Sequence, residues 1–290
     1  MTHMFTRLCF TATLSTCLLT VPAIGQPTQT PKPLISGFAV AADSNSYADV
    51  ADLVVASPLI IDATVKKATP LPATQSVGVP AGVQRMLVQA DVMALLRGTD
   101  GVTGTVKFLL DVPKNAKGKV PKLKKRRYFL LGQKVAGQPG AIRLSRPDSL
   151  IEWSVPNDAR VRAITKEAVQ LDAPQAVISV TSAFHSAGTV IGEGDTQIFL
   201  TATGGQPYSI TVTNRDGKAK SWSVSTSELI EEGAGAPQRN TLLWYRLACG
   251  MPSTLDAKLV ESVEDGSVAR AQVDYRFVID SLGRCDRTRK

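Results

Sequence analysis

Apolar residues recur at every second position, or in short unbroken runs, through much of the stretch from Leu59 to Leu144. That period, broken at Pro70–Pro80 and Gly98–Gly104, predicts strands over Leu59–Val65, Gln84–Leu96, Thr105–Val112, Tyr128–Lys134 and Ala141–Leu144. Just before them Tyr47, Val50, Ala51 and Val54 fall at helical spacing and predict a helix over Ser44–Ala56, which Pro58 stops. Five strands with one accompanying helix predict a small closed or partly closed barrel rather than a parallel α/β sheet.

The pattern then changes twice. Val161, Ile164, Ala168 and Leu171 predict a connecting helix over Pro156–Leu171, capped by Asn157 or Asp158 and ended by Pro174. A second strand series follows at Ala176–Ala183, Gln197–Thr203, Tyr208–Thr213 and Ser221–Ser225. Asn214-Arg215-Asp216-Gly217 reads as a hairpin turn, because Asp-Gly tolerates positive φ. Near the end, Val268, Ala271, Tyr275, Val278 and Leu282 form one helical stripe over Ser267–Leu282, with Asp265 as N-cap and Gly283 as C-cap. Asn240–Cys249 reads as a shorter helix, though Leu-Leu-Trp-Tyr equally suits a strand.

The expected fold class is therefore α+β. An OB-like antiparallel β-barrel covers 44–150, a connecting helix 151–173, an antiparallel β module 174–235, and a helical, disulfide-clipped C-terminus 236–290.

The first residues have a different character. Arg7 precedes an apolar stretch, Leu8–Val21, and Ala23 and Gly25 are small residues at the −3 and −1 positions before Gln26. The stretch would reach about 21 Å as a helix against a hydrocarbon core of roughly 30 Å, too short for an anchor. This predicts a signal peptide over 1–25, a Pro-rich linker over 26–43, and a periplasmic or secreted protein. Loss of the leader leaves two cysteines, Cys249 and Cys285, and an exported chain with two cysteines admits one intramolecular pairing. There is no Cys-x-x-Cys and no His near either Cys, so no metal site and no cofactor are expected.

One resemblance covers residues 47–135. Tyr47-Ala48-Asp49-Val50-Ala51-Asp52-Leu53-Val54-Val55 leads into the strand at Ile60–Val65, Val92-Met93-Ala94-Leu95-Leu96-Arg97-Gly98 closes the next, and Arg127-Tyr128-Phe129-Leu130-Leu131 follows. That order resembles the netrin-type (NTR) module shared with tissue inhibitors of metalloproteases, which implies an OB-like five-stranded barrel. The family's N-terminal Cys-x-Cys, which binds the protease metal, is missing, so the resemblance implies fold and no inhibitory residues.

Charge brings in the first candidate chemistry. Lys114, Lys117, Lys119, Lys122, Lys124, Lys125, Arg126 and Arg127 place eight basic residues in fourteen with no acid among them. Of 33 Lys and Arg they leave 25, matching the 25 Asp and Glu, so the formal charge of +8 resides in this segment. Read as a basic hairpin between two strands, 114–127 suits an anionic partner. In an exported protein that means lipid headgroups or anionic envelope polymers, with peripheral membrane contact, rather than nucleic acid.

Catalytic templates are scarce. There is no Gly-x-Ser-x-Gly, no Walker phosphate loop and no His-Glu-x-x-His. His185 is the only histidine beyond the leader, and a triad would have to combine it with Ser182 or Ser186 and a carboxylate such as Asp195. Glu193 and Asp195 sit in a glycine-rich turn whose spacing is not that of an EF-hand. Trp222, Trp244 and Tyr245 suit either a core or a ligand pocket. The expectation is an exported, non-catalytic envelope protein that binds or scaffolds. The alternatives are a periplasmic hydrolase using His185 and a module that binds another envelope protein through its β edges and Trp222/Trp244.

Overall fold

The computed structural model describes residues 45–226, 235–261 and 264–289, all within one compact unit. The signal peptide expected over 1–25 and the linker expected over 26–43 lie outside the described residues, as does part of the module expected over 174–235.

Helix α1 (Tyr47–Val55) starts where Ser46 and Asp49 cap each other: Ser46 Oγ accepts from the Asp49 N–H, and the Asp49 carboxylate accepts from the Ser46 N–H. Six strands follow: β1 (Leu59–Pro70), β2 (Val83–Arg97), β3 (Thr105–Pro113), β4 (Arg127–Lys134), β5 (Ala141–Leu144) and β6 (Leu150–Glu152). Their order is β1-β2-β3-β5-β4-β6, and β1 also pairs with β4, so β1 to β5 close into an OB-like barrel. The β3–β5 pairing is parallel; the other pairings of this sheet are antiparallel.

Two expectations are corrected here. The segment 114–127 is not a hairpin, because β5 lies between β3 and β4. Strand spacing along a chain cannot reveal that a later four-residue strand takes the neighbouring place. The interval expected as a connecting helix, 151–173, begins instead inside β6, which at three residues is too short to show a period.

Alternation explains the barrel's packing. In β3 the inward Val106, Phe108, Leu110 and Val112 are buried, while Thr105, Lys107 and Leu109 face solvent. β1 and β4 instead read as unbroken apolar runs because both faces are covered. Leu59, Ile61, Tyr128 and Leu130 fill the barrel, and Ile60, Phe129 and Leu131 face a second core. That second core lies between the barrel wall, the helices and the other sheet.

Helix α2 (Val155–Ala168) is capped by Ser154, whose Oγ accepts from the Asn157 N–H, so neither Asn157 nor Asp158 is the cap. Pro156 at the start of the helix displaces the cap to the residue before the first turn. The second sheet holds β7 (Val177–Ala187), β8 (Gly194–Ala202), β9 (Pro207–Asn214) and β10 (Ser221–Ser225), all antiparallel, in the order β10-β9-β8-β7. Helix α3 (Leu242–Gly250) is capped by Thr241 and settles Leu-Leu-Trp-Tyr as helix. Helix α4 (Ser267–Leu282) has Gly266, not Asp265, at its N-cap and Gly283 at its C-cap. The Cys249–Cys285 disulfide is present and joins the end of α3 to the segment after α4.

Candidate functional site

The eight basic residues of 114–127 divide into two kinds. Arg127 forms a two-pronged ion pair with Asp62, at 2.8 and 2.5 Å, and its guanidinium lies 4.2 Å from the centre of the Trp153 ring. Asp62 is fully buried on the outer face of β1, so this arginine neutralises a carboxylate that water cannot reach. Arg126 pairs in the same way with Glu152 of β6. Both half-buried arginines are therefore engaged by acids of the barrel strands. Lys114, Lys117, Lys119, Lys122, Lys124 and Lys125 are exposed.

The segment is also anchored rather than projecting. Asn115 Oδ1 accepts from the N–H groups of Lys117 and Lys119 and closes a tight turn. Leu123 is buried in the barrel core, the Lys125 N–H donates to Val65 O, and the Val65 N–H donates to Arg126 O. The chain is thereby laid along β1, with Lys125 in the left-handed region at φ 70°.

This brings in two lysines that the sequence reading missed. Val65 faces Ala90 and Lys67 faces Gln89, so Lys66 is an extra residue in β1, a β-bulge. Across the bulge Lys66 and Lys67 are both exposed. With Lys122, Lys124 and Lys125 they line an open groove of about 860 Å³ whose other lining residues are Ala68, Met86, Gln89, Val120, Pro121 and Leu123. No acid is among its lining residues; among the described residues the ion pair touching the rim is Lys66 with Asp91 of β2, a loose 3.5 Å contact. Consecutive lysines at the end of a strand were the signal available in the sequence.

His185 occupies a different environment from the one a Ser-His-Asp arrangement requires. It lies within β7, 5% exposed, paired across the sheet with Thr196 of β8. Its Nδ1 is 2.8 Å from Thr196 Oγ1, Thr196 Oγ1 donates to Asp274 Oδ2, and Asp274 Oδ1 accepts from Lys220 Nζ at 2.7 Å. Ser182 and Ser186 fall on the opposite face of β7, because side chains alternate along a strand. Asp195 is on that far face too, ion-paired with Arg215 at 2.6 Å. The hydrolase constellation of His185 with Ser186 or Asp195 is thus not assembled. Thr196 and Asp274 were missed, although Asp274 had a signal: a carboxylate on the buried stripe of α4.

Glu193 accepts from the Asp216 N–H at 2.8 Å, which ties its turn to the β9–β10 connection. Trp222 and Trp244 are core residues; their Nε1 groups donate to Ser281 Oγ and Leu282 O. Tyr245 is buried as well, with its hydroxyl donating to Asp52, so all three aromatics belong to the core.

Among the described residues no group of three or more His, Cys, Asp or Glu is placed to hold a metal ion, and no helix is long and apolar enough to cross a membrane. No protein-family model matches the chain, and no curated protein matches it.

Proposed function

We propose that this is an exported, non-catalytic envelope protein whose lysine groove holds an anionic surface, either lipid headgroups or a phosphate-bearing envelope polymer. The observation that carries the reading is the convergence of Lys66, Lys67, Lys122, Lys124 and Lys125 on one open groove lined by no acid. Five ammonium groups around one concavity raise the local concentration of anions, and each contacted phosphate releases a counterion. Export is supported by the leader-like first 25 residues and by a bridge that uses both remaining cysteines, since disulfides persist in oxidising compartments.

The test is co-sedimentation with vesicles of phosphatidylglycerol and phosphatidylcholine, and with phosphatidylcholine alone, across a salt series. The parent should bind the anionic vesicles, and salt should weaken it. The variant K66Q/K67Q/K122Q/K124Q/K125Q should lose up to about 5 kcal/mol, at about 1 kcal/mol for each lysine near the surface. Equal binding by parent and variant at every salt concentration would overturn the reading.

A further inference from the structure

A second cavity lies at the other sheet and shares no residue with the lysine groove. His185, Gly192, Gly194, Asn214, Lys220, Arg270 and Asp274 are among the residues that line a cavity of about 270 Å³, below the roughly 300–1,000 Å³ of pockets for drug-sized ligands. The hydrogen-bond chain beneath it fixes the histidine. Thr196 spends its one hydroxyl proton on Asp274, so toward His185 it only accepts, and Nδ1 is the nitrogen that carries a proton. In the neutral ring Nε2 is then an acceptor. It is buried and has no partner among the described residues.

The ring's Cε1–Nε2 edge faces Gly194, where an added Cβ would come within 2.9 Å of Cε1 and 3.2 Å of Nε2. A side chain at 194 would crowd that edge and the Ser186 carbonyl oxygen. The turn holding Gly192 and Gly194 is fixed from outside: Asn214 Nδ2 donates to Gly192 O, and Arg215 donates to Gly194 O at 3.2 Å. A buried acceptor without a donor bears its full desolvation cost, and a ligand hydroxyl removes that cost.

The remaining polar groups define the rest of the ligand. Lys220 uses one N–H on Asp274, and Arg270 makes no ion pair among the described residues. With Asp274, these give the lining one net positive charge. Asn214 donates through Nδ2 to Gly192, which leaves Oδ1 as a second neutral acceptor. The cationic donors suit a carboxylate. The neutral acceptors suit a hydroxyl better than an ammonium, whose desolvation they would not offset. Ala269 and Val273 supply an apolar wall. We propose that this cavity binds a small hydroxycarboxylate, with its hydroxyl donating to His185 Nε2 and its carboxylate held by Lys220 and Arg270.

The test uses the full chain and three probes of matched size: lactate, propionate and propane-1,2-diol. Calorimetry should show lactate binding, propionate weaker by about tenfold, and the diol not at all. The assigned His185 Nε2 resonance should move with lactate and not with propionate. R270Q, at an exposed position, should weaken lactate about tenfold or more with no change in melting temperature. H185F should bind lactate and propionate alike. Equal binding of lactate and propionate by the parent overturns the proposal, as does an unmoved Nε2 resonance or full lactate affinity in R270Q. Failure here leaves the lysine groove untouched, because the two sites share no residue.

Discussion

Thr288 and Asp49 are 239 positions apart and share two hydrogen bonds: the Thr288 N–H reaches Asp49 Oδ1 at 2.8 Å, and its hydroxyl reaches Oδ2 at 2.6 Å. The Arg289 N–H adds a third at 2.8 Å. The carboxylate that caps α1 is therefore also the seat of the chain's last described residues. Arg287 fixes the same segment one turn along, with a two-pronged ion pair to Asp52.

Acid should release this contact first. Burial pushes the Asp49 carboxyl up, but the bonds from Thr288, Arg289 and Ser46 outweigh it, and its pKa lies below the ordinary value. A depressed folded pKa stabilises above the unfolded value of about 3.9, and the contribution is lost as pH falls through the folded value. D49N should therefore cost about 2–3 kcal/mol at pH 7, with hydrogen bonds to a charged group at stake. In denaturant titrations the gap to the parent should close below about pH 4. A gap that stays constant down to pH 2 would show that the charge is not what matters.

The basic segment should split in two on substitution. R127A leaves Asp62 buried without a counter-charge and should cost about 3–5 kcal/mol. K124A, on the exposed rim, should stay within about 0.5 kcal/mol. Urea midpoints compare them directly, and similar midpoints would mean that the Arg127–Asp62 pair contributes nothing special.

Reduction should act at a distance. The bridge closes a loop of 36 positions, worth about 3–4 kcal/mol by loop entropy. C249S/C285S should lose that much stability. Amide exchange at Thr288 and Arg289 should accelerate before that of the barrel, because the bridge holds Cys285 three residues from Asp49's partner. Unchanged exchange there would place the tail under control of its ion pairs alone.

A methyl group at Gly132 tests barrel closure. Its Cβ would lie 2.3 Å from the Arg143 carbonyl oxygen and 3.1 Å from Leu144 Cα, all backbone that cannot rotate away. G132A should open the β4–β5 pairing and cost about 1–3 kcal/mol or more. A melting temperature equal to the parent's would refute this.

Much of the fold is legible because its elements bury one clean stripe. Ser221–Ser225 and Ser267–Leu282 have the bounds that their periods predict. The strands of the barrel stand out for the same reason, and the two that carry unbroken apolar runs are the two packed on both faces. Other features carry no such signal. The three residues of β6 span less than two periods, and the bulge at Lys66 is a register event between strands. The pairing of Arg127 with Asp62 spans 65 positions, and that of Thr196 with Asp274 spans 78. Composition located the positive charge correctly, but it could not say that two of the eight cations are consumed by buried or half-buried acids.

The return of the tail to α1 also sets an order of events during synthesis. Arg289 donates to Asn45 Oδ1, so the first and last described residues touch. Chains emerge N-terminus first. Helix α1 and its Asp49 cap would thus leave the ribosome long before Thr288 exists to meet them. Until then Asp49 lacks three of its hydrogen bonds, and the helix that roofs the barrel wall is only half secured. That arrangement can be reached only after residue 289 has been made, which keeps helix α1 less tightly held than in the native protein until then.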